Sequence, residues 1–302
     1  GENLENIDDL SLNYEDNESI IEDLYNELSK QFLSTIEILS KLVLLTEKYY
    51  DGSHSRFVAD KSVQIAEQLG IHDENLTEIR IAALLHDIGK IGYSDPLLFK
   101  NTQDMDPNEY RSYTLHPEIA NNILSANEHF REIRRIIYQH HERLDGSGFP
   151  QHLTEEKIHR GAKIIAVVDV FHNSIYKRKS LASHINNTMH TTNTSSILEA
   201  TKEKFNSTMN YLYKKRKVLF DAKIVDTLIE IETFERKQLG ARTVLRLPVN
   251  RLTPGMVVAD DYYNSLGILI AGRGDVLDED SIKALIRFAE NDELPLKILV
   301  IE

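Results

Sequence analysis

The stretch Ile79–Leu85 constrains this chain most. It is too apolar on all sides for a surface helix, so it belongs at the centre of a helical assembly. It runs directly into His86-Asp87. An unpaired aspartate at the end of a central helix is costly, and a cation beside it removes that cost. The chain is therefore expected to fold around a polar point held inside helices.

Seven residues qualify for that point: His54, His86, Asp87, His116, His140, His141 and Asp169. Each sits within or at the edge of a helical pattern, and a helix bundle can aim such side chains at one place. Cysteine is absent, which excludes disulfides and thiolate-held zinc, so a metal must be bound by histidine and carboxylate. That donor set is of intermediate hardness and suits iron, manganese or zinc. A lone histidine is more often a surface or hydrogen-bonded core residue, and His72, His129, His152, His159, His184 and His190 are read that way.

The 302 residues suffice for one large domain or two to three smaller ones. Residues 1–28 hold no Lys or Arg and many acids, and their first part reads as a solvated arm. From Ile20 through Leu24, Leu28, Phe32, Ile36, Leu39 and Val43 one apolar face persists, predicting a helix to about Tyr49. Its plain reading is core packing and its sharper one is a dimerising helix. Asp51-Gly52-Ser53 breaks the pattern, and Ser53 can cap the next helix, which Gly70 ends. Further helical patterns cover 107–126, 130–141, 156–178 and 217–238, while 180–210 is rich in Ser, Thr, Asn and His and its order is doubtful. After Gly240 short strands are expected at Val244–Val249, Met256–Ala259, Ile268–Ala271 and Lys297–Ile301, with one helix at Asp278–Glu290. The organisation expected is mainly α. An acidic segment and long helix occupy 1–50, a helical bundle 51–238, and a small β-rich domain 243–302. No apolar run reaches a membrane span and no signal peptide is visible, so the chain reads as cytoplasmic. It opens on Gly1 rather than Met, which reads as a cut from a longer protein. A net charge of −13 and no basic face argue against long nucleic acid.

Leu84-Leu85-His86-Asp87-Ile88-Gly89-Lys90-Ile91-Gly92 resembles the signature of the HD phosphohydrolases. His140-His141-Glu142-Arg143-Leu144-Asp145-Gly146-Ser147-Gly148-Phe149-Pro150 resembles the second signature of the HD-GYP family. The similarity extends over about 51–238, through His54-Ser55-Arg56, His116-Pro117 and Val168-Asp169-Val170-Phe171. It implies an HD-type helical bundle and a phosphodiesterase that opens cyclic di-GMP to a linear dinucleotide. It further implies that the seven residues ligate two divalent transition-metal ions, iron first, with Asp87 bridging them. Lys90 matches a lysine on the scissile phosphate, and Arg178 an arginine that grips the dinucleotide. The physics agrees: two cations about 3.5–4 Å apart acidify a water between them and neutralise phosphoryl oxygens. Lys90 adds a compact positive charge, and Arg143 contacts phosphate or pairs with a carboxylate, the pairing being favoured. Gly146 and Gly148 serve a tight turn or a close approach to ligand.

The chain departs from the family at Phe149, which lacks the tyrosine hydroxyl. It departs at Tyr50, where members with a third metal carry Glu. It departs at His172-Asn173-Ser174-Ile175, where Asp-Ala-Leu-Thr is usual, and at Leu181, which replaces a substrate-binding lysine. Three functions compete: the phosphodiesterase, with weak turnover; a sensor that binds a cyclic dinucleotide or docks a GGDEF-domain partner; and a phosphohydrolase for another ester, against which the long second motif argues. A homodimer through the N-terminal helix is the assembly considered.

Overall fold

In the computed structural model, residues 2–47, 54–175, 194–240, 244–259, 262–263, 269–272, 274–291 and 297–301 are described. Tyr50, Arg178 and Leu181, with Asp51-Gly52-Ser53, lie outside them. The chain falls into two compact units, Gly1–Leu42 and Val43–Glu302. Helix α1 (Glu2–Leu44) begins far ahead of Ile20, so the acidic arm is helical. It contains no Gly or Pro before Leu44, and acids near a helix N-terminus favour its dipole. Ile20, Ile21, Leu24 and Leu28 are exposed along it.

The bundle is built from α2 (His54–Gln68), α3 (Asp73–Leu85), α4 (Asp95–Phe99), α5 (Pro107–Tyr113), α6 (His116–Leu124), α7 (Arg131–Gln139) and α8 (Arg160–Ile175). It continues with α9 (Thr194–Lys215) and α10 (Ala222–Gly240). The pattern expected at 107–126 is two helices, because Pro117 and the bend at Thr114-Leu115 separate them. Asp106 and Glu109 form a reciprocal capping box at the start of α5. The doubtful stretch 180–210 carries a helix in its second part. Phe205, Thr208 and Leu212 bury one face of α9 at helical spacing, which polar composition around them hid.

Helix α3 is central, as its sequence requires. Ile79, Ile81, Ala82, Ala83 and Leu85 are buried, and the helix packs against α2, α7 and α8. Ile65, Ile136, Ile137, Ile164 and Ile165 complete that core with almost no exposure. Side chains of this size each contribute roughly 1.5–3 kcal/mol on burial. Helix α3 stops at Leu85 and the chain turns through a 3₁₀ segment, Ile88–Lys90, on which α6 packs. Gly89 makes that contact possible: a Cβ there would lie 1.9 Å from the carbonyl oxygen of His116. The start of α6 is thereby pressed against the turn that carries Asp87.

Strands β1 (Val244–Pro248), β5 (Lys297–Ile301) and β2 (Val257–Val258) form an antiparallel sheet with β5 in the middle. β3 (Tyr262–Tyr263), which the sequence did not flag, pairs with β4 (Leu269–Ala271). Helix α11 (Glu279–Glu290) is capped by Asp278, which accepts from the Ser281 N–H. Ile298 and Val300, two apart on β5, share a separate core with Val258, Leu285 and Ala289. Among the described residues no helix is long and apolar enough to cross a membrane.

Candidate metal centre

Helix ends bring the site together. His54 opens α2, His86 and Asp87 follow α3, His116 opens α6, His140 and His141 follow α7, and Asp169 lies within α8. All seven are buried. They converge as two groups of donors, His54, His86 and Asp87 in one and His116, His140 and His141 in the other, each with its atoms within 4.8 Å of one another. Asp169 Oδ1 stands 3.2 Å from His54 Nε2 and 3.9 Å from His86 Nε2, beside the first group. Asp87 lies between the groups, with Oδ1 3.5 Å from His86 Nε2 and 3.7 Å from His116 Nε2.

The proton positions follow from the backbone. His86 Nδ1 is 2.7 Å from the Ala83 carbonyl, His116 Nδ1 is 2.7 Å from that of Tyr113, and His140 Nδ1 is 2.5 Å from that of Ile137. Each carbonyl lies three residues back, at a helix end where it lacks a full set of intrahelical partners. A carbonyl only accepts, so each Nδ1 carries a proton and each ring turns its Nε2 inward. His116 Nε2 and His140 Nε2 are 3.4 Å apart. Asp87 Oδ1 is a further acceptor, buried with no hydrogen-bond partner.

Burial drives His54, His116 and His141 below the ordinary imidazole value and pushes His140 down to about 3. Burial alone would raise Asp87, but His86 and then Lys90, whose Nζ is 2.6 Å from Oδ2, hold it well below the usual carboxylate range. Buried ring nitrogens and carboxylate oxygens face one another here, with the Lys90 ammonium beside Asp87. Divalent cations fit such a donor set.

Lys90 is buried, and its ammonium lies 5.3 Å from the centroid of the Tyr113 ring. Arg143 does not pair with Glu or Asp among the described residues, contrary to expectation. Its guanidinium donates to the Glu142 carbonyl at 2.8 Å and lies 5.1 Å from the Phe220 ring centroid. The Glu142 carboxylate is engaged elsewhere: it accepts from the Gln151 and Leu153 N–H groups and clasps the 142–153 loop. Gly148 serves that clasp rather than a ligand, since a Cβ there would sit 2.4 Å from Arg143 N. Phe149 stacks toward His141 with centroids 4.6 Å apart, and Tyr113 approaches both rings.

Three neighbours of the cluster escaped the sequence reading. His172 is buried with Nδ1 2.9 Å from His54 Nδ1, and Asn173 Nδ2 donates to Asp169 Oδ1 at 2.6 Å. Both follow Asp169 by about one turn of α8, and that spacing was the available signal. Glu47 is buried, accepts from the Ser55 N–H at 2.8 Å, and leaves Oε2 without a partner. Arg178 lies outside the described residues.

A family model described as HD domain matches residues 37–193. The cyclic di-GMP phosphodiesterase response regulator RpfG of Xanthomonas campestris pv. campestris is 33% identical over 68% of this chain and 49% of its own length. A cyclic di-GMP phosphodiesterase of Thermotoga maritima is 36% identical over 53% of this chain and 44% of its own length. The 3'3'-cGAMP-specific phosphodiesterase 3 of Vibrio cholerae is 38% identical over 40% of this chain and 26% of its own length. The chain thus spans less than half the length of each.

Proposed function

This chain belongs to the HD domain family, in its HD-GYP branch, and from that premise we propose that it is a metal-dependent phosphodiesterase opening cyclic di-GMP to a linear dinucleotide. One observation carries the reading: of the two groups of three donors, the one that holds the buried Asp87 reaches the other through it, with Oδ1 3.5 Å from His86 Nε2 and 3.7 Å from His116 Nε2. His54, His86 and Asp169 would hold one cation, His116, His140 and His141 the other, and Asp87 both. Iron is the first choice for this mixed donor set, with manganese or zinc next. When bound, the pair supplies an acidified water and positive charge for the phosphoryl oxygens.

The chain's own residues do the rest. Lys90, fixed by Asp87, presents an ammonium at the rim of the cluster, where negative charge grows as the phosphodiester is attacked. Arg143, without a carboxylate partner among the described residues and laid on Phe220, offers planar donors to a phosphate. Arg178 is the second phosphate grip. The substrate class rests on relatives that act on cyclic dinucleotides.

Turnover is slow in this reading. Phe149, packed on His141, cannot donate a hydrogen bond, and Leu181 cannot supply a lysine's charge. Each missing charge-assisted contact removes roughly 1.5–3 kcal/mol. The same residues favour a second reading, a sensor that keeps its metals and binds the nucleotide or a GGDEF-domain partner. The apolar stripe Ile20, Ile21, Leu24 and Leu28 supports a homodimer through α1, and the site of action is the cytoplasm. The test incubates metal-loaded protein with cyclic di-GMP and separates the products, beside a Phe149→Tyr, Leu181→Lys double variant. Slow linear product, faster in the double variant, is expected. Tight binding of the nucleotide with no product in either would establish the sensor instead.

A further inference from the structure

The histidines of the cluster are not held alike. His86, His116 and His140 each seat Nδ1 on the carbonyl three residues back. His54 opens α2 instead of ending a helix. Its Nδ1 meets another imidazole, His172 Nδ1, at 2.9 Å. A carbonyl can only accept, whereas a ring nitrogen accepts or donates according to its own proton. At 2.9 Å the two Nδ1 atoms share one proton, so the tautomers of His54 and His172 are linked.

We infer that His172 is a positioning residue: it accepts the Nδ1 proton of His54 and so turns the bare Nε2 of His54 toward the metal cluster. Its placement suits the task. His172 is buried, its ring lies edge-on to His54 at 4.6 Å between centroids, and Phe57 flanks it at 4.9 Å. It stands one helical turn after Asp169, whose Oδ1 is 3.2 Å from His54 Nε2. One turn of α8 thus addresses both nitrogens of the same ring. With Asn173 on Asp169, that turn fixes two members of the cluster at once. Partners of this kind orient a ligand and raise its basicity, and their loss typically costs about 10–100-fold in metal affinity.

The inference rests on the cluster being a metal centre, and the test separates the two. Zinc(II) affinity is measured by competition with a chromophoric chelator for wild type, His172→Phe, which cannot accept, and His172→Asn, which can. Long-range proton–nitrogen NMR of the zinc-loaded wild type reads the His54 tautomer. The expected result is a weakening of about 10–100-fold in His172→Phe, substantial recovery in His172→Asn, and a proton on His54 Nδ1. Equal affinity in all three proteins, equal loss in both variants, or a proton on His54 Nε2 would overturn the role of His172. A wild type that binds no zinc would instead overturn the metal centre itself.

Discussion

Replacing Lys90 with Met separates the ammonium's role in folding from its role in catalysis. Lys90 and Asp87 are both buried, with Nζ 2.6 Å from Oδ2, and Asp87 Oδ1 has no partner. Removing one member of a buried pair leaves the other uncompensated and costs roughly 3–5 kcal/mol. For a unit of this size each kcal/mol shifts Tm by about 2–4 °C, so metal-free Lys90→Met should melt on the order of 10 °C below metal-free wild type. Bound cations give Asp87 a new countercharge, so the gap should fall to less than half in the metal-loaded proteins. Methionine keeps most of the aliphatic length that lies along Tyr113, which limits the packing loss. The assay is scanning calorimetry of chelator-stripped and zinc-loaded protein, wild type beside variant. A gap as large with metal as without, or one below about 1 kcal/mol in the metal-free pair, would refute the claim that Lys90 and the cations neutralise the same carboxylate.

Asp87→Ala should lower metal content by more than one ion per chain, because a shared carboxylate is lost, whereas His54→Ala should be milder; elemental analysis of the purified proteins decides. Glu47 is pushed up to about 7 by burial, from an ordinary 4.5. The unfolded chain releases that proton from about 4.5 upward while the folded one holds it, so stability is lost as pH rises from 4.5 to 7, by about 3 kcal/mol. In metal-free protein Glu47→Gln should therefore raise Tm at pH 8 and leave it nearly unchanged at pH 4.5; a gain independent of pH would sink the argument. Deleting 243–302 should leave metal content unchanged, since that segment holds no His and has its own core; metal loss from a folded truncation would contradict this.

The sequence made the bundle legible where burial and chemistry point the same way. Ile79–Leu85 had to be central, and the histidines around it had to face inward. It was less legible where polar residues hide a buried face: α9 rests on Phe205, Thr208 and Leu212 amid Ser, Asn and Lys. The acidic arm misled for a related reason. Charge suggested a solvated arm, but charge says nothing against a helix free of Gly and Pro. The short strand Tyr262–Tyr263 carries too few residues for any period to register.

For the site, the two motif stretches around His86-Asp87 and His140-His141 pointed to seven residues, and the fold brings those seven together. What residue types could not give is which groups satisfy one another. Arg143 has acids near it in sequence, yet Glu142 spends both carboxylate oxygens on backbone N–H groups of its own loop. The guanidinium is left to the Glu142 carbonyl and an aromatic face. His172 was read as a departure from a motif written for substrate, and its partner proves to be His54, 118 residues away. The two cases share one physical cause. A buried polar group takes whichever partner the packing brings within about 3 Å, and packing is set by the apolar residues around it. The seven converging residues are therefore legible in the sequence as residue types, while the shell that orients them is written in the isoleucines of α2, α3, α7 and α8 that fix how closely those helices meet.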